Sequence, residues 1–186
     1  MANVRIHKQK LLREAEGYLD LLMVFADRWP PSAEVRDPLA QRALNVLADL
    51  QKHPGNQAHV LYLTGQAYRA MEQHAEAVTP LKQACKMDPE NVHYWLALAW
   101  CYKRSDRLDL AIESLEEALD GNDTEAIVYY NLACYWSLAN NAKIAVPYLS
   151  RAFDLDVDFR DLVALETDFD PIRQDAEFLA LTSVIV

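Results

Sequence analysis

The strongest constraint on this 186-residue chain is a period of 34 residues in its central part. Three segments that begin at Ala58, Val92 and Ala126 align without gaps, and we call them repeats 1, 2 and 3. Six columns agree in residue type: Leu61, Trp95 and Tyr129; Gly65, Ala99 and Ala133; Tyr68, Tyr102 and Trp136; Ala77, Ala111 and Ala145; Leu81, Leu115 and Leu149; Ala84, Ala118 and Ala152. Agreement at a fixed period over all six columns indicates tandem copies of one structural unit.

Each repeat predicts two helices joined by a tight turn. The matched residues of each half recur at spacings of four and three, which places them on one face of an α-helix. The stretches between the halves, MEQH, KRSDR and LANNA, are polar, as expected for a turn. Gly65 costs a helix about 1 kcal/mol relative to alanine. We therefore expect the small-residue column to lie where another helix approaches closely.

This set of large, small and aromatic columns resembles the tetratricopeptide repeat (TPR) family, in particular small bacterial TPR proteins with a C-terminal capping block. The resemblance covers about 100 residues as three consecutive repeats. It implies an all-α fold, a right-handed α-solenoid of antiparallel helix pairs with flanking helices at both ends. The usual terminator Asp88-Pro89 follows repeat 1, but Asn122-Asp123 and Asp156-Val157 replace it later.

The segments on both sides of the repeats are also predicted to be helical. Apolar spacing predicts one helix from about Val4 to Arg28, stopped by Trp29-Pro30-Pro31, and a second from about Pro38 to Lys52, stopped by His53-Pro54-Gly55. Phe169, Ile172 and Phe178 are expected to seal the last repeat. The predicted divisions are 1–55, a degenerate repeat; 58–91, 92–125 and 126–158, the three TPR units; and 159–186, the capping helices.

Composition narrows the classes of function. Lysine and arginine number 18 against 28 aspartates and glutamates, a formal net charge of −10, which argues against nucleic acid or an anionic membrane as partner. The chain has four glycines and neither GxGxxG nor GxxxxGK[ST], so dinucleotide and P-loop sites are not expected. Three cysteines and no apparent export signal predict reduced thiols and a cytoplasmic location.

The first helix of each pair is expected to line the inner surface of the stack, and the resemblance implies that peptides bind there. The helix faces not used for packing carry His59, Tyr62, Leu63, Gln66, Arg69 and Ala70; His93, Leu96, Ala97, Trp100, Lys103 and Arg104; and Ile127, Tyr130, Asn131, Cys134, Ser137 and Leu138. The predicted partner-binding residues within this set are His59, Tyr62, Gln66, Arg69, His93, Leu96, Trp100, Lys103, Arg104, Tyr130 and Asn131. Because the predicted groove face has basic and aromatic groups but no carboxylate, we expect a protein or peptide partner with acidic and apolar side chains.

More specific chemistry is not predicted. The positions that clamp a terminal carboxylate in co-chaperone TPR domains hold Tyr62, Gln66, Ala97, Ile127 and Asn131 here, so that activity is not expected. His59 and His93 share a column, but no third ligand lies at helical spacing. We therefore predict no metal, no cofactor and no catalytic residue, and hence no enzyme. Two functions remain: an interaction module, or a scaffold that self-assembles through Leu19–Phe25 or Thr182–Val186.

Overall fold

A computed structural model describes residues 2–23, 30–52, 55–121 and 123–183. Within these ranges the regular secondary structure is helical and includes no β-strand, which confirms the predicted all-α class. The helices are α1 (Ala2–Met23), α2 (Ala33–Gln51), α3 (Gln57–Ala70), α4 (His74–Met87), α5 (Val92–Arg104), α6 (Leu108–Gly121), α7 (Ala126–Leu138), α8 (Ala142–Leu155), α9 (Phe159–Leu162), a 3₁₀ helix (Thr167–Ile172) and α10 (Ala176–Thr182). No helix in this described part combines the length and apolar character needed to cross a membrane.

The chain forms two compact units, an N-terminal unit, Met1–Ser105, and a C-terminal unit, Asp106–Val186. In the N-terminal unit, α1 packs on α2, α2 on α3, α3 on α4 and α4 on α5, and α1 also contacts α3. In the C-terminal unit, α6 packs on α7, and α7 packs on both α8 and the 3₁₀ helix. Successive helices are thus neighbours in space within each unit, as expected for stacked helix pairs.

The alanine and leucine columns of the second helices form the core of both units. Their side chains are at most 1% exposed: Ala77, Ala111, Ala145, Leu81, Leu115, Leu149, Ala84, Ala118 and Ala152. Gly65 of the small-residue column faces this layer from α3. A methyl group added at Gly65 would lie 2.6 Å from Leu81 Cδ2, so only a residue without a side chain fits at the present helix spacing.

The polar stretch within each repeat forms a turn with a left-handed residue at the same position. Glu72, Asp106 and Asn140 have φ values of 61°, 57° and 55°, and they lie 34 residues apart. After the first helix of repeat 1, the N–H of Gln73 donates to Tyr68 O at 2.9 Å, and after α7 the N–H of Asn141 donates to Trp136 O at 2.9 Å. In each case the hydrogen bond pairs a carbonyl group of the last helical turn, as is usual where a left-handed residue follows the end of a helix.

The N-terminal helix pair differs in detail from its prediction. The second helix begins at Ala33 and not at Pro38, because the carbonyl oxygen of Ser32 accepts hydrogen bonds from the N–H groups of Val35 and Arg36, both at 2.9 Å. Pro38 is therefore inside the helix, where it removes one backbone donor. The predictions that involve Phe25, Arg28, Trp29, His53, Pro54, Asn122 and residues 184–186 lie outside the described residues.

The C-terminal segment packs as a cap in the C-terminal unit. Phe169, Ile172 and Phe178 are at most 3% exposed, and the Phe169 and Phe178 ring centroids are 5.4 Å apart. Arg173 braces the irregular chain beside them. Its Nη2 donates to Glu166 O at 2.6 Å, its Nη1 to Val163 O at 3.3 Å and its Nε to Asp170 Oδ1 at 2.6 Å.

The contact at Gly65 yields a stability prediction. We expect Gly65→Ala to lower the free energy of unfolding by about 1 kcal/mol, because overpacking against Leu81 outweighs the gain in helix propensity. In a Leu81→Ala background the same substitution should raise it by about 1 kcal/mol, since the overlap is gone. Urea unfolding of the four proteins measures this coupling, and equal effects of Gly65→Ala in both backgrounds would contradict the packing argument.

Candidate partner-binding site

A cavity of about 490 Å³ opens on the first helices of the N-terminal unit, and we call it the Trp100 cavity. Side chains from α1, α3 and α5 form most of its wall, together with the chain that precedes α2 and the turn after α3. The lining residues are Leu19, Leu22, Met23, Pro30, Pro31, Arg36, Gln66, Arg69, Ala70, Glu72 and Trp100. A cavity of this volume, largely apolar with a few charged groups, is typical of a binding site.

Trp100 is surrounded by cationic and aromatic groups. The guanidinium carbon of Arg69 lies 4.3 Å from the Trp100 ring centroid, and that of Arg104 lies 5.8 Å from it. The His74 ring meets Trp100 edge-on at 5.0 Å. Arg69 Nη1 also donates to Gln66 Oε1 at 2.7 Å. These contacts hold the Arg69 guanidinium against the indole, where a cation is attracted by the ring face.

Acidic groups reach this surface from outside the predicted groove columns. Arg36 forms ion pairs with Glu72 and Asp37, and the Asp37 hydrogen bond, partly opposed by desolvation, raises the pKa of Arg36. Glu16 Oε1 lies 3.0 Å from His59 Nε2. The predicted face lacks carboxylates because the first helices of the three repeats carry none there. The carboxylates come from α1, α2 and the turn after α3.

Three of the predicted partner-binding residues, Gln66, Arg69 and Trp100, line the cavity. His59 and Tyr62 form a separate aromatic group, in which Tyr62 lies 6.1 Å from His59 and 4.9 Å from Tyr94 between ring centroids. The remaining predicted residues of the N-terminal unit do not line the cavity: Leu96 and Lys103 are half-buried, and His93 and Arg104 are exposed.

Tyr130 is a core residue of the C-terminal unit and not an open groove residue. Its side chain is 5% exposed, and its ring centroid lies 4.9 Å from that of Phe159 and 5.6 Å from that of Phe169. Tyr130 and Tyr62 share a column, and each packs against the element that follows its helix pair, so this column stacks neighbouring elements. Asn131 Nδ2 donates to Ile127 O at 2.8 Å within its own helix.

Other members of the wider predicted inner face are core residues as well. Their exposed fractions are 6% or less: Leu63, Ala97, Cys134 and Ser137. The reason is geometric, because a helix in a stack of pairs has neighbours on more than one side and only a narrow stripe remains for solvent.

The buried thiols of the N-terminal unit are poor nucleophiles. Burial raises the pKa of Cys85 to about 12 and that of Cys101 to about 11. Since the thiolate is the reactive form, neither sulfur is activated for chemistry near neutral pH.

The sequence and the fold are similar to those of known tetratricopeptide repeat proteins. Residues 62–133 match a family model described as tetratricopeptide repeat. The alignment with a crystal structure of MamA covers 83% of this chain and 87% of the MamA chain, at 18% sequence identity and a TM-score of 0.60. The alignment with MamA residues 41 to the end from Desulfovibrio magneticus RS-1 covers 83% of this chain and 93% of that chain, at 20% identity and a TM-score of 0.58. The alignment with YrrB, described as a TPR protein with an unusual peptide-binding site, covers 84% of each of the two chains, at 17% identity and a TM-score of 0.58. No curated protein matches significantly in sequence.

The surroundings of His74 yield a pH prediction. Burial, followed by the positive charges of Arg104 and Arg69, lowers its pKa from the ordinary value of 6.5, against the opposing effects of Glu72 and Glu76. Below about pH 6.5 the unfolded chain therefore binds a proton that the folded chain does not, and stability should fall on acidification. Wild type should lose more stability than His74→Gln between pH 7 and pH 5. An NMR titration midpoint for His74 at or above 6.5 would contradict this.

Proposed function

Because this chain is a tetratricopeptide repeat protein, we propose that it is a non-catalytic interaction module that binds a protein segment in the Trp100 cavity. The observation that carries the proposal is the position of Trp100 and Arg69, which lie in contact at a cavity along three first helices. Tryptophan and arginine are the residue types that most often dominate binding energy at protein interfaces.

The chemistry of the wall supports one kind of segment. Met23, Pro30 and Trp100 offer apolar area, and Arg36 and Arg69 offer planar donors for a carboxylate. A segment with an acidic side chain next to a leucine or an aromatic residue satisfies both. The YrrB structure, described as having an unusual peptide-binding site, lends the fold a precedent for peptide recognition.

Charge reversal tests this assignment. A panel of fluorescein-labelled peptides that pair Asp or Glu with Leu or Phe is titrated with the full-length protein. Each peptide is compared with a control peptide in which Lys replaces the acidic residue. We expect acidic peptides to bind more tightly, and Arg69→Glu to weaken that binding by about tenfold or more because it removes a donor and adds repulsion. Fluorescence anisotropy at low and high salt gives the affinities.

Lys82→Glu is the matched control, because it makes the same change in net charge at an exposed site on α4. Affinity should be nearly unchanged in this variant. Equal losses in the two variants, or acidic peptides that bind no better than their lysine counterparts, would contradict the proposed site.

Self-assembly is the alternative function, and the C-terminal unit offers the observation that favours it. Large apolar side chains there are 45–85% exposed: Val157, Leu162, Leu165 and Leu179. In the N-terminal segment Leu19 and Leu22 are at most 4% exposed, whereas Leu21 and Met23 are 55% and 52% exposed, so that segment offers a smaller apolar area of the same kind. Isolated exposed apolar residues are common on protein surfaces, whereas a contiguous patch marks an interface.

Light scattering coupled to size exclusion separates the two functions. Self-assembly predicts a mass that rises with protein concentration and falls in Leu165→Glu, the most exposed of these positions at 85%. A monomer at every concentration would contradict self-assembly and leave the interaction module as the single proposal.

A further inference from the structure

Three metal-ligating side chains converge in the C-terminal unit, and none of them is among the residues that line the Trp100 cavity. Cys134 Sγ and carboxylate oxygens of Glu166 and Asp168 all lie within 4.8 Å of one another. Cys134 is in the middle of α7, and the two carboxylates come from the start of the 3₁₀ helix that packs on α7. Cys134 is 2% exposed and the carboxylates are half-buried, so the cluster has a closed inner end and an outer end that solvent can reach.

A buried polar atom beside the cluster is without a partner. The Tyr130 hydroxyl is inaccessible to solvent and makes no hydrogen bond in the described structure, and its residue is 5% exposed. Tyr130 lies one helical turn before Cys134 on the same face of α7. Its ring also packs on the segment that bears the carboxylates, since its centroid lies 5.6 Å from that of Phe169, the residue after Asp168. A buried hydroxyl with no partner is costly and calls for a missing water, ion or ligand.

From this geometry we propose that Cys134, Glu166 and Asp168 form a binding site for a single zinc-class divalent cation. A thiolate favours zinc or cadmium over magnesium or calcium, and carboxylate oxygens complete zinc sites. A tetrahedral zinc ion keeps its ligand atoms about 3.5 Å apart, so a movement of about 1 Å by the half-buried carboxylates closes the cluster. The fourth position is open to water, which gives the Tyr130 hydroxyl a partner.

Binding of the cation removes most of the local negative charge. A thiolate and two carboxylates carry three negative charges, a divalent cation removes two, and the nearby Arg173 guanidinium is already paired with Asp170. Arg173 also donates to the carbonyl oxygens of Val163 and Glu166, so its three hydrogen bonds brace the ligand-bearing segment internally. Glu166 Oε1 accepts the N–H of Asp168 at 3.1 Å, which fixes these two carboxylates on the same side of the turn.

Zinc and cadmium ions alone are the probes, added to the full chain after treatment with a chelator and a reductant. We expect one equivalent of Zn²⁺ to bind in competition with a chromophoric chelator and to raise the thermal unfolding midpoint. Cd²⁺ should produce a thiolate-to-metal charge-transfer band in the ultraviolet. Binding should weaken as the pH falls, because protons compete for the ligands.

Substitutions locate the ion. Cys134→Ser should remove the charge-transfer band and weaken binding by about 100-fold, whereas Cys101→Ser, a buried thiol in the N-terminal unit, should change neither. Glu166→Gln keeps an oxygen for the Asp168 N–H and removes the charge, so it and Asp168→Asn should weaken binding without loss of helical circular dichroism. Tyr130→Phe should weaken binding by about tenfold and leave the metal-free protein at least as stable as before, because it removes a buried hydroxyl that has no partner.

The outcomes decide the matter even if Cys134→Ser does not fold, because the two carboxylate variants change half-buried positions. Failure of wild type to bind either ion, persistence of the band in Cys134→Ser, or unchanged affinity in both carboxylate variants would overturn the site. None of these results bears on peptide binding in the Trp100 cavity, which the other unit contains.

Discussion

The distance between the two helices of a pair is the constraint on which the rest of this fold depends. Gly65 lies so close to Leu81 that even a methyl group would overlap it, and the same column holds Ala99 and Ala133 in the later repeats. Ala99, Ala133 and Leu81 are all fully buried. Because close packing leaves no room to exchange these residues for larger ones, variation that could create binding surfaces is confined to the other faces of the first helices and to the turns.

The core and the turns could be predicted from sequence because every repeat imposes the same physics. A residue that packs against its own partner helix recurs at the same column in all three copies, and so does the left-handed residue of the turn at Glu72, Asp106 and Asn140. Columns that face the next element are harder to assign. Tyr62 meets Tyr94 of α5, whereas Tyr130 meets Phe159 and Phe169 of the cap, so the period alone does not distinguish a stacking residue from a groove residue.

The candidate sites depend on segments that lie outside the period. Gln66, Arg69 and Trp100 could be predicted as part of the candidate surface, but Pro30, Pro31 and Arg36 come from the N-terminal pair, which lies outside the three aligned repeats. Glu166 and Asp168 belong to the irregular cap, more than 30 residues from Cys134, and a search at helical spacing does not find them. In both cases the missing information is tertiary: which non-repeating segment closes over which face of a regular helix.

The positions of the three cysteines have a practical consequence. Cys85 and Cys101 lie on α4 and α5 of the N-terminal unit and Cys134 on α7 of the C-terminal unit, and all are at most 2% exposed. A bulky alkylating reagent can reach such a sulfur only when the surrounding helices separate. The rate at which each sulfur is labelled thus reports the local opening of its own region. The labelling rates of the three cysteines can therefore show whether the two units open together or independently.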